Sequence, residues 1–184
     1  RVPCRIDWYH TLSGQIGLDL SGALRKMNGR LQQARKRLVY RLATHVVANT
    51  RCAEADLQCV FGVPAGRTHV LHYAIPDPLE TAGADGAAER APFRIVCPGR
   101  LDHSKGQAEA IRAAALLLPR FPGIEIHFLG DGPCRDEYMS LARELGVLHR
   151  CCFRGAVPLR EVLRTMRTSA LTLVPSRSEA FGLV

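Results

Sequence analysis

The chain has 184 residues, 47% of them hydrophobic and 23% charged, and a net charge of +8. This is enough apolar material for a buried core and excludes a disordered chain; no apolar run approaches the ~20 residues of a membrane span, which excludes a transmembrane bundle. The positive excess favours anionic partners such as phosphates, acidic lipid surfaces or nucleic acid, and says nothing about fold.

The chain starts at Arg1 without a signal-peptide pattern, and its two abrupt ends predict a fragment of a longer protein. Arg5 to Tyr9 predict a short strand ending at His10, and Thr11 to Leu20 a loop broken by Ser13-Gly14 and Ser21-Gly22. Leu24, Met27, Leu31, Ala34, Leu38 and Leu42 recur at steps of three or four. They predict one long helix whose apolar stripe packs on a core. Its other faces carry Arg25, Lys26, Arg30, Arg35, Lys36, Arg37 and Arg41, so the helix also suits an anionic membrane surface. His45 to Ala48 predict a buried strand. Thr50 is placed to cap a helix running to Phe61, which Gly62 and Pro64 end. Thr68 to Tyr73 predict the next strand. Pro76 to Ala91 lack periodicity and predict a linker.

The second half alternates regularly. Strands are predicted at Phe93 to Cys97, Ile124 to Leu129, Cys151 to Phe153 and Ala170 to Val174. Between them, helices are predicted from about Gln107 to Leu118, with Ile111, Ala115 and Leu118 inward, and from about Arg135 to Leu145. A third helix follows Pro158 and is expected to bury Leu159, Val162, Leu163 and Met166. Such alternation predicts parallel sheets with right-handed crossovers. The fold class is therefore α/β, with two Rossmann-like domains, both represented only in part. Their expected bounds are 1–76, a linker over 77–91, and 92–184.

The seven cysteines, Cys4, Cys52, Cys59, Cys97, Cys134, Cys151 and Cys152, are odd in number and form no C-x2-C pair. They predict reduced thiols and a cytoplasmic protein rather than a disulfide framework or a zinc ribbon. Ligands of an open parallel sheet bind beyond the carboxyl ends of its strands. Those ends carry Gly99-Arg100, Gly130-Asp131-Gly132, Arg154-Gly155 and Pro175 to Glu179. Glycines let backbone approach a ligand closely, and Arg100 with Lys105 suits phosphate oxygens. Taken singly, either cation reads first as a solvated loop charge; the other loops at the same edge reverse that reading. Asp131 and His103 read as turn formers, and a metal site at His69 and His72 lacks further ligands.

Gly99-Arg100-Leu101 with Lys105-Gly106, the Gly130-Asp131-Gly132-Pro133 turn, Phe153-Arg154-Gly155, and Pro175-Ser176 before Glu179-Ala180-Phe181-Gly182-Leu183 follow one another in this order. With them, residues 94–184 resemble the donor-binding domain of the family 4 glycosyltransferases, also called glycosyl transferases group 1, a retaining group with two Rossmann domains (the GT-B fold). Ala48-Asn49-Thr50 and the stretch from Gly62 to Ile75 resemble the end of that family's acceptor domain less specifically.

The resemblance implies transfer of a sugar from a nucleotide-diphosphate sugar to an acceptor hydroxyl, with retention, no metal and no other cofactor. Arg100 and Lys105 would bind the donor diphosphate, and Glu179, the first carboxylate of an E-x7-E motif, the sugar hydroxyls. The second carboxylate would fall three positions beyond Val184. Donor contacts would also come from Gly99, Gly130, Arg154, Gly155, Phe181, Gly182 and Leu183. His10 would approach the transferred sugar, with a capping or surface histidine as its plain alternative. The expected partners are a nucleotide sugar, a glycan or lipid-linked acceptor and, through residues 24–42, the inner face of a membrane; no nucleic acid is expected, since aromatics make up only 6% of the chain. The rivals are a noncatalytic anion-binding protein acting through the basic helix, and another GT-B enzyme such as a sugar-nucleotide epimerase.

Overall fold

The computed structural model describes residues 4–10, 12–13, 23–74, 91–180 and 182, with the backbone alone for 23–28. The Ser21-Gly22 break, most of the 11–20 loop, the 77–90 part of the linker, and Phe181, Leu183 and Val184 lie outside them. The chain divides into two units, 1–74 with 178–183, and 75–177 with 184.

The first unit has three parallel strands, β1 (Ile6–Tyr9), β2 (His45–Ala48) and β3 (Thr68–Val70), in the order β1-β2-β3. Helix α1 (Ala23–Leu42) joins β1 to β2, and α2 (Arg51–Phe61) joins β2 to β3. The predicted signals hold at α2: the Thr50 hydroxyl accepts the Ala53 N–H at 3.0 Å, and Gly62 ends the helix in the left-handed conformation. Ala53, Leu57 and Phe61, at four-residue steps, form its buried face. The core centres on Tyr9, Tyr40 and Phe61, whose rings meet edge to face with centroids 5.2–5.8 Å apart. Arg67 caps the end of α1, donating to the carbonyls of Tyr40, Thr44 and Ala43.

The expected packing of the α1 leucine stripe is corrected. Leu31, Leu38 and Leu42 are 69%, 60% and 56% exposed, while Tyr40 is buried. The helix is turned so that Tyr40 completes the aromatic trio and Lys36 lays its ammonium 6.0 Å from the Tyr9 ring centroid. An aromatic ring buries more area than a leucine and decides the face.

The second unit has four parallel strands, β4 (Ala91–Pro98), β5 (Glu125–Leu129), β6 (Cys151–Phe153) and β7 (Ser169–Thr172), in the order β6-β5-β4-β7. Three helices serve as crossovers: α3 (Gln107–Leu117), α4 (Arg135–Glu144) and α5 (Leu159–Thr168). Val96, Cys97, Ile126 and Phe128 of the central strands pack with Ile111 and Ala114 of α3 and Tyr138 and Ala142 of α4. Ala115 and Leu118 pack against this core as partly buried residues. The inward face of α5 departs from expectation: Leu159 is 71% exposed, Val162, Leu163 and Met166 are half-buried, and Thr165 is the buried position. Leu159 is the first residue of that helix, at the end of the face rather than over the sheet.

This strand order reverses direction between β4 and β7. That is the topological switch point of a doubly wound sheet, where ligands bind beyond the strand ends.

Candidate functional site

The loops at this switch point are held by backbone against backbone. Gly99, just past β4, donates its N–H to the Leu129 carbonyl at 2.9 Å. Gly130 in turn donates to the Gly155 carbonyl at 2.8 Å. A Cβ on Gly130 would stand 2.1 Å from the Gly99 oxygen, and one on Gly106 would stand 2.1 Å from the Pro175 oxygen. Both glycines also have positive φ, +149° and +71°, so no other residue fits either position without displacing the neighbouring loop. The Arg177 N–H donates to the Ser104 carbonyl at 2.8 Å, bringing the segment after β7 against the loop after β4.

Arg100 and Lys105 lie on that one loop. The Arg100 side chain is 70% exposed, its Nε 3.9 Å from an Asp102 carboxylate oxygen, and Lys105 is half-buried. Two residues not singled out from the sequence shape the loop. Asp102, buried, accepts the Ser104 N–H at 2.9 Å and the Ser104 hydroxyl at 2.5 Å. Gln107, wholly buried at the start of α3, donates to the Arg100 carbonyl at 2.8 Å. The Asp-x-Ser spacing is a side-chain turn signal that would have revealed the first. Gln107 carries no comparable local signal.

Arg154 leaves β6 with its N–H on the Phe128 carbonyl at 3.0 Å, and its guanidinium is ion-paired to Glu161. Asp131 behaves as the expected turn former, its carboxylate accepting the Gly132 N–H at 2.8 Å. Thus Gly99, Arg100, Lys105, Gly130, Arg154 and Gly155 share the carboxyl edge of the second unit's sheet. Glu179 and Gly182 group with the first unit; Glu179 is half-buried, and Gly182 is exposed with φ +72°.

In the first unit, exposed His10 follows the C-terminal end of β1. Asp56 of α2 grips the chain on both sides of it. The Tyr9 hydroxyl donates to Asp56, as do the Ser13 N–H and hydroxyl, each at 2.6 Å. Burial, followed by the hydrogen bond to Asp56 and then the Asp56 charge, pushes the Tyr9 phenol far up, and burial pushes Tyr40 up to about 12. A cavity of about 430 Å³ lies beside them, lined by Asp7, Trp8, His10, Arg35, Lys36 and Tyr40 among others. Burial lowers the Lys36 ammonium, against the pull of Asp7 and Asp56. His69 Nε2 lies 3.0 Å from His45 Nδ1, and His72 Nδ1 3.1 Å from the Asn49 carbonyl. Neither belongs to a group of three ligands among the described residues.

The chemistry available at the second unit's edge is recognition of an anionic group: close backbone approach at the glycines, two cations on one loop, and a switch-point crevice.

A family model described as "Glycosyl transferases group 1" matches residues 84–184, over half of the chain. The D-inositol 3-phosphate glycosyltransferase of Acidothermus cellulolyticus is 32% identical over 161 residues, covering 77% of this chain and 35% of that protein. Among solved structures, S. aureus TarM, in a complex that includes UDP, covers 98% of this chain and 34% of its own, with a TM-score of 0.71 at 12% identity. Sucrose-phosphate synthase from Thermosynechococcus elongatus covers 97% and 46%, with a TM-score of 0.70 at 22% identity. These structural likenesses show the fold, that of the GT-B enzymes. The chain spans about a third of the length of the curated relatives it matches. It belongs to the glycosyl transferases group 1 family.

Proposed function

From this family membership we propose that the chain is part of a glycosyltransferase that moves a sugar, with retention, from a nucleotide-diphosphate sugar to an acceptor hydroxyl. The observation that carries the reading is the placing of Arg100 and Lys105 on the one loop that meets the segment after β7 at the switch point. There they bind the donor diphosphate and neutralise it as it leaves. At ~4 Å and an effective dielectric near 20, one such charge pair contributes about 4 kcal/mol before desolvation. Glycines 99 and 130 admit the donor to the backbone, and Arg154 with Gly155 meets the base. Glu179 takes the sugar hydroxyls, and Phe181, Gly182 and Leu183 are assigned to the binding of sugar and phosphate. Residues 92–184 are then the donor side, and 1–76 the acceptor side, joined by 77–91. No metal and no further cofactor is assigned to the transfer, whose work is positioning and electrostatic stabilisation.

His10 approaches the transferred sugar, and the neighbouring cavity takes the acceptor. Arg35 and Lys36 in its wall support an anionic acceptor, a glycan or lipid-linked one. The relatives named D-inositol 3-phosphate glycosyltransferase support a phosphorylated polyol among the candidates. The exposed leucines of α1, beside exposed Arg30, Arg35, Arg37 and Arg41, support a peripheral contact with an anionic membrane, at its cytoplasmic face. No helix among the described residues is long and apolar enough to cross one.

The test is steady-state kinetics of the whole enzyme with a panel of nucleotide sugars. Arg100→Ala and Lys105→Ala are each expected to lower turnover about 10²-fold, the usual worth of one transition-state donor. Unchanged kinetics in both variants would refute the assignment.

A further inference from the structure

We propose that His103, Cys134 and Glu137 form a binding site for a thiophilic divalent cation of the zinc class, joining the loop after β4 to the first turn of α4. One ligand atom from each, an imidazole nitrogen, the thiol sulfur and a carboxylate oxygen, lies within 4.8 Å of the others. His103 Nε2 and a Glu137 oxygen are 3.5 Å apart. In a tetrahedral zinc site with bonds of 2.0–2.3 Å, ligand atoms stand about 3.3–3.8 Å from one another. Closure therefore needs only a small contraction, and the side chains that must move are the more open ones: His103 is 38% and Glu137 59% exposed.

The remaining ligand is already fixed. Cys134 is 5% exposed and precedes α4 directly. Its N–H donates to the Leu101 carbonyl at 3.1 Å, and the Leu101 N–H donates to the Asp131 carbonyl at 3.1 Å. A Cβ on Gly132 would stand 2.3 Å from that same Leu101 oxygen, so the two loops meet only because residue 132 has no side chain. This backbone clasp holds the sulfur beside the turn that carries His103. Glu137 lies one helical turn beyond Cys134 and shares its face.

A neutral imidazole, a thiolate and a carboxylate carry two negative charges, matching one divalent cation. The thiol proton leaves as the ion binds. Three protein ligands leave the fourth tetrahedral position for a water molecule. The Cys134 side chain also meets Tyr138 through a hydrogen bond, and its sulfur stays within reach of both His103 and Glu137.

The site goes beyond the transfer reaction and stands whatever sugar is moved. Its consequence for the loop is mechanical: the segment 100–105 becomes tied to α4 at residue 103.

The test takes the whole protein with the exposed Cys4, Cys52, Cys59 and Cys152 replaced by Ser, titrated first with Co2+ and then with Zn2+. A thiolate-to-cobalt charge-transfer band is expected, bleached by Zn2+, with a rise in melting temperature on Zn2+ addition. His103→Ala and Glu137→Gln, both solvent-facing, are each expected to weaken binding about ten-fold or more, since losing a ligand costs at least as much as losing an outer-shell partner. Cys134→Ala is expected to abolish the band. His45→Ala, which breaks the other close histidine pair, is expected to change nothing. Absence of the band, undiminished binding in His103→Ala and Glu137→Gln, or loss of binding in His45→Ala would each overturn the proposal.

Discussion

The two units fix their strand-end loops by different means. In the first, a side chain does it: one carboxylate, Asp56, takes hydrogen bonds from Tyr9 and Ser13 and so sets the chain on both sides of His10. In the second, backbone meets backbone at Gly99–Gly130 and Gly106–Pro175, with less room than a methyl group needs. The first device tolerates added volume but depends on one polar partner. The second is indifferent to side-chain chemistry but tolerates no added atom.

Adding one methyl should separate them most sharply. Gly130→Ala combines a left-handed backbone with a contact of 2.1 Å, and is expected to cost about 3 kcal/mol or more. Gly62→Ala in the first unit has a similar strain, φ +68°, but nothing within 4 Å of the new atom. It is expected to cost about 1–2 kcal/mol, the left-handed penalty alone. Urea denaturation of both variants measures the difference. Equal losses would erase the distinction drawn between the loops.

Removing the polar partner is the converse, with a smaller expected effect. Asp56→Ala leaves the Tyr9 hydroxyl, on a residue only 1% exposed, without its acceptor. About 1–3 kcal/mol should be lost. Tyr9→Phe in the Asp56→Ala background should recover part of it, because the orphaned hydroxyl is then gone. Strict additivity of the two substitutions in a double-mutant cycle would mean that Asp56 and Tyr9 are not coupled.

These two devices were not equally legible from residues alone. The glycine edge was readable because glycine after an apolar run marks a strand end wherever it occurs, and Gly99, Gly130 and Gly155 all fall there. So were Thr50, Gly62 and the Cys151–Phe153 strand, whose signals are local. Asp56 was not, because its partner Tyr9 lies 47 positions away and nothing nearby in sequence marks it. The face of α1 shows where periodicity fails: leucines at regular steps gave the stronger pattern, yet Tyr40, outside that pattern, closes the aromatic core. Periodicity reports that a helix has an apolar side. Which side is buried depends on what the neighbouring strands offer.

Alkaline pH offers the finest separation, because the buried titratable groups differ between the units. In the second, burial pushes the Cys97 thiol up from 9.0 to about 12 and Cys151 up to about 11. The folded chain thus keeps protons that the unfolded chain releases, and stability falls as pH rises above 9, by about 1.4 kcal/mol per pH unit for each proton. In the first unit the raised groups are Tyr9 and Tyr40, whose unfolded value is 10.0, so their loss begins a unit later. Lys36 has the opposite sign. Burial lowers it from 10.5, so below that value the unfolded chain holds more proton, and stability rises as pH climbs towards it. Between pH 9 and 10 the second unit should therefore weaken while the first does not. Urea unfolding of the chain at pH 8 and pH 9.5, followed by Trp8 fluorescence for the first unit and by thiol labelling of Cys97 and Cys151 for the second, reads the two separately. A parallel decline of both signals would show that the two cores respond to alkali as one, and that their separate groups do not set the response. A decline in the labelling midpoint alone, abolished by Cys97→Ala, would assign the loss to the buried thiol of β4.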